Sequence, residues 1–281
     1  MPNQEQIEYW NAKGGPRWVE QRELLDRQLA QLGDLVLDAV PWEQGHRILD
    51  VGCGTGGSTL DLARRLDPAG SVVGMDVSKV MLECAKSRVQ SDVVSWICAD
   101  AQTHALEEQS FDGVFSRFGV MFFDDPVSAF TNFGRAVRND GWLGFVCWKA
   151  FDENPWLKLP LEAIASLIPE PEPRDPNAPG PAAFADRDRV TSILSRAGFV
   201  DIQFENHRPK IQVGGTSDFD RAIEFNLEIG PAAAALREHG DHLRGPAKER
   251  LIEAFKPYRS DDGILMDASV WVVTARARRS A

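Results

Sequence analysis

Residues 47–66 read RILDVGCGTGGSTLDLARRL. Apolar Ile48, Leu49 and Val51 flank the carboxylate Asp50, and glycines follow at 52, 54, 56 and 57. That order is a strand turning sharply into a helix. Such a turn points free backbone N–H groups at whatever anion lies in front of the helix. Two ligands suit it: the pyrophosphate of a dinucleotide, or the amino-acid end of a methyl donor.

Outward from this stretch, strand and helix signals alternate. Strands are expected at 48–51, 71–75, 93–100, 111–120 and 141–148, with helices at 58–66, 78–89 and 125–139 between them. Ser78 suits the N-cap of the second of these helices, and Asp140-Gly141 reads as a turn. Upstream, Val19, Leu25, Leu29, Leu32 and Val36 recur at helical spacing up to Pro41. Downstream, prolines at 169, 171, 173, 176, 179 and 181 mark a loop. A helix at 186–199 stopped by Gly198, a strand at 200–204, helical pieces over 217–256 broken at 230–231 and 245–246, and a strand at 267–277 complete the chain. Alternation of this kind means a parallel sheet with helices on both faces. Ligands then collect at the carboxyl ends of the strands, at the switch in strand order.

The chain has 281 residues, 43% hydrophobic and 26% charged, which is ample for one α/β core with a covering element. A formal net charge of −11 argues against nucleic acid as a partner. Cysteines at 53, 84, 98 and 147 form no metal-binding pair or thiol trio. They read as buried free thiols of a reducing compartment. No apolar run is long enough for a membrane span. The polar start MPNQEQIEYW lacks a signal-peptide plan, so the cytoplasm is the expected location.

Gly52 to Gly57 satisfies G-x-G-x-x-G, a weak signal by itself. Asp50 extends it to D-x-G-x-G-x-G. A pyrophosphate needs no anion beside it, whereas a methionyl group carries an ammonium that a carboxylate answers and a carboxylate that backbone N–H groups answer. Here the chain resembles the class I S-adenosylmethionine-dependent methyltransferases, particularly the methyltransferase domain 11/25 and ubiquinone-biosynthesis-like group. ILDVGCGTG, VVGMDVSKVML, ICADAQ, FDGVFSRFGVMFF and AVRNDGWLGFVCW stand in that family's order over residues 45–150.

The resemblance implies a Rossmann-like, seven-stranded, mostly parallel sheet with helices on both faces and a helical cover. It divides the chain into an N-terminal helical lid (1–43), a donor-binding core (44–150) and a C-terminal part completing the sheet with a covering insertion (151–281). The donor site it implies comprises Trp10, Asp50, Gly52, Cys53, Gly54, Asp76, Val77, Met81, Asp100, Ala101 and Ser116. Asp76 would take the ribose hydroxyls, Asp100 the adenine amino group and the Ser116 carbonyl the ammonium. Asp100 as a plain turn cap and Met81 as plain helix core stay open.

Methyl transfer demands alignment and exclusion of water more than a fixed catalytic group, and no catalytic residue or metal site is assigned. Arg117, Phe118 and Trp148, at strand ends, are the substrate candidates. Arg117 either clamps an anion or pairs with Asp124 or Asp125, and Trp148 is either a wall of the site or core. His104 and His207 read as turn residues rather than bases. Tyr9 and Trp10 either form the lid or anchor a terminal helix. The segment 151–260, with Trp156, Phe184, Phe219, Phe225 and Leu227, either lines a pocket or makes a homodimer surface. The expected activity is methyl transfer from S-adenosylmethionine to a small-molecule oxygen, nitrogen or carbon nucleophile. Its rivals are a binding protein of the same fold and a nicotinamide oxidoreductase.

Overall fold

The computed structural model describes residues 3–88, 90–170 and 175–278. Val89, at the end of an expected helix, and Pro171 and Pro173 of the expected loop lie outside the described residues.

The alternation holds. β1 (Arg47–Val51) runs through the glycine turn into α4 (Gly57–Leu66), then β2 (Ser71–Asp76), α5 (Lys79–Arg88) and β3 (Val94–Cys98). β4 (Phe111–Arg117), α6 (Pro126–Ala136) and β5 (Val137–Trp148) follow, and α8 (Arg187–Arg196), β6 (Phe199–His207) and β10 (Val270–Ala277) close the sheet. Its order is β3-β2-β1-β4-β5-β10-β6. β1 pairs parallel with both β2 and β4, while β10 runs antiparallel to β5 and β6. The expected seven-stranded, mostly parallel sheet is therefore present. β1 is the strand at which chain order reverses, so a crevice opens beyond its carboxyl end. Four of its five residues are buried, as a strand covered on both faces requires.

Before β1 come α1 (Gln4–Ala12), α2 (Gly14–Glu20) and α3 (Arg22–Ala39). Of the segment 1–43 expected as a lid, α3 belongs to the core. Leu32 and Val36 of α3 are fully buried. A Cβ at Gly144 of β5 would meet Val40 Cγ1 at 2.6 Å and Val36 Cγ1 at 2.9 Å, so α3 lies directly on the sheet. None of the residues of α1 is buried as helix core.

Three further expectations change. The α6 helix, capped by Asp125, stops at Ala136 because Val137 already pairs in β5 with Phe111. The expected turn at Asp140-Gly141 is an irregularity inside that strand, where the pairing with β4 shifts register and Asp140 takes φ 64°. In the cover, α9 (Phe219–Glu228) and α10 (Pro231–His239) break at Gly230 as expected. The next break falls at Gly240 (φ 112°), not at Gly245-Pro246, which open α11 (Arg244–Phe255). Proline in a first helical turn loses no hydrogen bond.

α7 (Pro155–Ile164) packs with α10 and α11, which also pack on α9, and β7 (Lys210–Gln212), β8 (Arg259–Ser260) and β9 (Gly263–Asp267) make a small second sheet. Phe225, Leu236, Leu251 and Phe255 give this cover its own apolar interior. Phe184, expected either to line a pocket or to lie on a dimer surface, instead packs on Phe130 and Phe145 within the main core. Cys53 and Cys147 are buried free thiols, but Cys98 at the end of the edge strand β3 is exposed.

If α3 belongs to the core, Leu32→Ala should cost about 2–5 kcal/mol in denaturant unfolding. A loss below about 1 kcal/mol would return α3 to the lid.

Candidate functional site

Asp50 sits on the last turn of β1 with no exposed surface. Its Oδ2 accepts from Ser58 Oγ at 2.8 Å and Thr59 Oγ1 at 2.6 Å, both in the first turn of α4. Its Oδ1 is buried with no hydrogen-bond partner among the described residues. Burial lifts its pKa to about 6, against the pull of the two hydroxyls and of Arg117.

Between β1 and α4 the chain takes positive φ at Gly52 (67°), Gly54 (58°) and Gly56 (84°), which L side chains rarely adopt. A Cβ at Gly52 would stand 2.6 Å from the Gly119 Cα, so two bare backbones touch at the crevice. Ser116, fully buried, fixes that approach: its Oγ donates to the Val51 carbonyl at 2.8 Å and accepts from the Gly119 N–H at 3.1 Å. Cys53 is buried, with its N–H on the Met75 carbonyl at 3.1 Å, and burial raises its thiol pKa.

Asp76, ending β2, faces the turn. Its Oδ2 accepts from the Gly54 N–H and its Oδ1 from the Ser78 N–H, each at 2.8 Å. Burial raises its pKa, and these N–H groups partly offset the rise. Met81, in α5, lies under Gly54: a Cβ there would be 3.0 Å from its Cε. The Val77 carbonyl accepts from Asn11 Nδ2 at 3.1 Å, and Ser78 Oγ donates to the Trp10 carbonyl at 2.7 Å. Trp10 itself meets Tyr9, Trp18 and Phe122 edge-on. α1 is thus laid across the carboxyl end of β2.

Beyond β3, Asp100 Oδ1 accepts from the Gln102 N–H at 3.0 Å, the turn cap considered above, and from Asn3 Nδ2 at 3.2 Å. Its Oδ2 is buried and unpartnered among the described residues, so the cap accounts for only half the carboxylate. The Ala101 carbonyl accepts from Asn132 Nδ2 at 2.9 Å.

The substrate candidates divide. Phe118, buried and at φ 63°, stacks on Trp148 with centroids 4.1 Å apart and planes 9° apart. Trp148 in turn meets Trp156, whose indole N–H is buried without a partner among the described residues. A phenylalanine in the left-handed region is strained, and such strain gathers at functional sites. Arg117 turns instead toward α3, on the face of β4 that α3 covers. Its guanidinium pairs with Asp26 at 3.6 Å, and neither Asp124 nor Asp125 is its partner. Asp124 accepts from the Asn3 N–H, and Asp125 caps α6. Asp26 also holds Arg88 at 2.5 Å. His207 pairs with Glu205 on the outermost strand, β6, three strands from β4. The His104 carbonyl is held by Asn132 at 2.7 Å.

Asn3, Asn11, Ser58, Thr59 and Gly119 escaped the reading of the sequence. Only Ser58 and Thr59 left a signal there, as hydroxyls one helical turn beyond a strand-end acid. The arrangement suits a zwitterion joined to an adenosine. Asp50 Oδ1 lacks a donor on one side of the glycine turn, Asp100 Oδ2 lacks one beyond β3, and Asp76 stands between them.

Comparison with known proteins bears on the family. A family profile described as a methyltransferase domain matches residues 49–145. The chain is 34% identical over 209 residues to O-methyltransferase resE of Aspergillus sclerotiorum, spanning 70% of this chain and 73% of that one. It is 24% identical over 235 residues to the demethylmenaquinone methyltransferase of Lactococcus lactis subsp. lactis, spanning 73% of this chain and 82% of the relative. The YcgJ protein of Bacillus subtilis superposes with a TM-score of 0.58 at 18% identity, over 89% of this chain and 100% of that one, a likeness of fold.

An acid whose folded pKa is raised binds protons more tightly folded than unfolded, so its contribution favours the fold at low pH and is lost as pH rises from about 4 to about 6. Above that range, ionised Asp50 costs about 3 kcal/mol in the unliganded protein. Asp50→Asn should therefore melt higher than the parent at pH 7.5, with the gap narrowing below pH 6 and closing toward about pH 4. A gap independent of pH would contradict the assignment.

Proposed function

This chain belongs to the S-adenosylmethionine-dependent methyltransferases, and on that premise we propose that its acceptor is a small, planar, largely apolar molecule bearing oxygen on or beside the ring. S-adenosylmethionine, when bound, supplies a methyl group made electrophilic by its sulfonium. The observation that carries the donor site is the pair of buried, unpartnered carboxylate oxygens, Asp50 Oδ1 and Asp100 Oδ2. Each costs about 1–3 kcal/mol unless a ligand answers it.

In this reading Asp50 takes the donor's ammonium. Gly52 and Gly54 let backbone approach the methionyl group, with Cys53 and the Ser116 carbonyl beside it. Asp76 accepts from the ribose hydroxyls. Val77, Met81 and Ala101 bound the adenine, Asp100 takes its amino group, and Trp10 closes over the whole. α1 and α2 act as the lid, with the helices of 151–260 as the cover. The four free thiols fit a cytoplasmic protein, and among the described residues no helix is long and apolar enough to cross a membrane.

Phe118 and Trp148, stacked on each other at the carboxyl ends of β4 and β5, would form an apolar wall beside which a ring of the acceptor would lie. They exclude water and fix the approach to the methyl group. The relatives' names point the same way: one is an O-methyltransferase, the other acts on a demethylmenaquinone. Neither His104 nor His207 is placed as a base, so the acceptor is one acidic enough to react by positioning, such as a phenol or an enol. Arg117, turned to Asp26, is assigned to holding α3 on β4 rather than to an acceptor anion.

Turnover of labelled donor should appear with a panel of hydroxylated aromatic acceptors and not with aliphatic amines. Trp148→Ala should raise the acceptor KM about tenfold or more while the affinity for S-adenosylhomocysteine stays within about twofold, since stacking on an indole is worth about 1–3 kcal/mol per ring. Loss of both together would make Trp148 structural. Asp76→Ala should weaken S-adenosylhomocysteine binding by about 1–3 kcal/mol in calorimetry. S-adenosylhomocysteine should raise the melting temperature where NAD leaves it unchanged, and the reverse would sink the donor assignment.

A further inference from the structure

Asn3 stands immediately before α1, with its carbonyl accepting the first helical bond, from the Ile7 N–H at 3.0 Å. Asparagine in that position ordinarily turns its side chain back to cap the helix. Here it makes no such bond. Its backbone takes φ 60°, a conformation asparagine tolerates better than most residues. Its N–H is pinned to Asp124 Oδ2 at 2.6 Å. Thus held, the amide reaches across 97 residues of sequence to Asp100, with Nδ2 3.2 Å from Oδ1. Asn3 is 3% exposed.

The orientation of this amide follows from that hydrogen bond. Nδ2 donates to Asp100 Oδ1, which turns the Asn3 Oδ1 elsewhere. That Oδ1 is buried without a partner among the described residues, and so is Asp100 Oδ2. Two acceptors without donors therefore belong to one hydrogen-bonded pair. Burying both unanswered is unfavourable, and one nitrogen carrying two N–H bonds on a flat ring would answer both.

We propose that Asn3 is a specificity residue for the donor's purine, reading the exocyclic amino group of adenine jointly with Asp100. The lid then carries part of the donor site, and its closed position is favoured by a 6-amino purine over a 6-oxo purine. A 6-oxo group would set a third acceptor against the two already there, and sites built to hydrogen-bond a group reject its analogues strongly. This inference rests on the donor reading above.

Calorimetry with S-adenosylhomocysteine and S-inosylhomocysteine tests it. The parent protein should bind the adenosyl ligand far more tightly. Asn3→Ala should weaken that binding about tenfold, the loss of roughly one hydrogen bond, and leave the inosyl ligand unchanged or tighter, so that the preference shrinks. Asn11→Ala serves as the comparison, because Asn11 ties α1 to Val77 and Lys79 without facing Asp100. It should lower both affinities by the same factor. If Asn3→Ala also lowers both equally, or lowers neither, Asn3 is a strut of the lid and the proposal fails. If the parent binds neither ligand, the donor reading falls, and this inference with it.

Discussion

Two hydroxyls on one carboxylate oxygen hold this molecule's centre together. Ser58 and Thr59 reach from the first turn of α4 to Asp50 Oδ2, and so lock the end of β1 to the helix that follows it. Gly52, Gly54 and Gly56 between them take left-handed backbone. Because both bonds use one oxygen, the other is left inside the protein without a partner among the described residues. The chain thereby holds an unfavourable interaction at the end of β1, where the proposed reading puts the donor's ammonium. Burial lifts the pKa of Asp50, and the Arg117 charge works against that lift.

The crevice is closed by polar links more than by apolar burial. α1 contributes no buried residue to the core, yet Asn3, Trp10 and Asn11 each bond to a loop following β2, β3 or β4. A helix held this way is cheaper to displace than one packed like α3. On its other side the N-terminal segment touches the cover, where Arg17 of α2 approaches Glu228 of α9 at 4.0 Å. One short segment therefore touches both the loops after β2, β3 and β4 and the helix α9.

Arg117 shows how a site residue is misplaced when read along the chain. It ends β4, where ligands of such sheets gather, and followed by two aspartates at 124 and 125 it invited either an anion or those acids as partner. The pleat sends it to the face that α3 covers, beside Gly33. There Asp26, 91 positions upstream, shares its carboxylate between Arg117 and Arg88. Two cations on one acid beside the start of α4 join three segments that lie far apart in sequence.

The sequence alone determined what depends on periodicity and on backbone chemistry: the alternation of strands and helices, the glycine turn, the acids at 50, 76 and 100, and through them the family and the donor. These follow from local rules, since strand burial, helix spacing and positive φ leave marks within a few residues of one another. Where breakers could act in two ways, as at Pro246 or Asp140, the surroundings chose. Only the tertiary structure decided which carboxylate oxygens are left without donors among the described residues, that α3 is core while α1 contributes no buried residue, and that Asn3 faces Asp100 rather than its own helix. A hydrogen bond between residues 3 and 100 depends on how the whole sheet brings two loops together, and no local pattern of residue types encodes it.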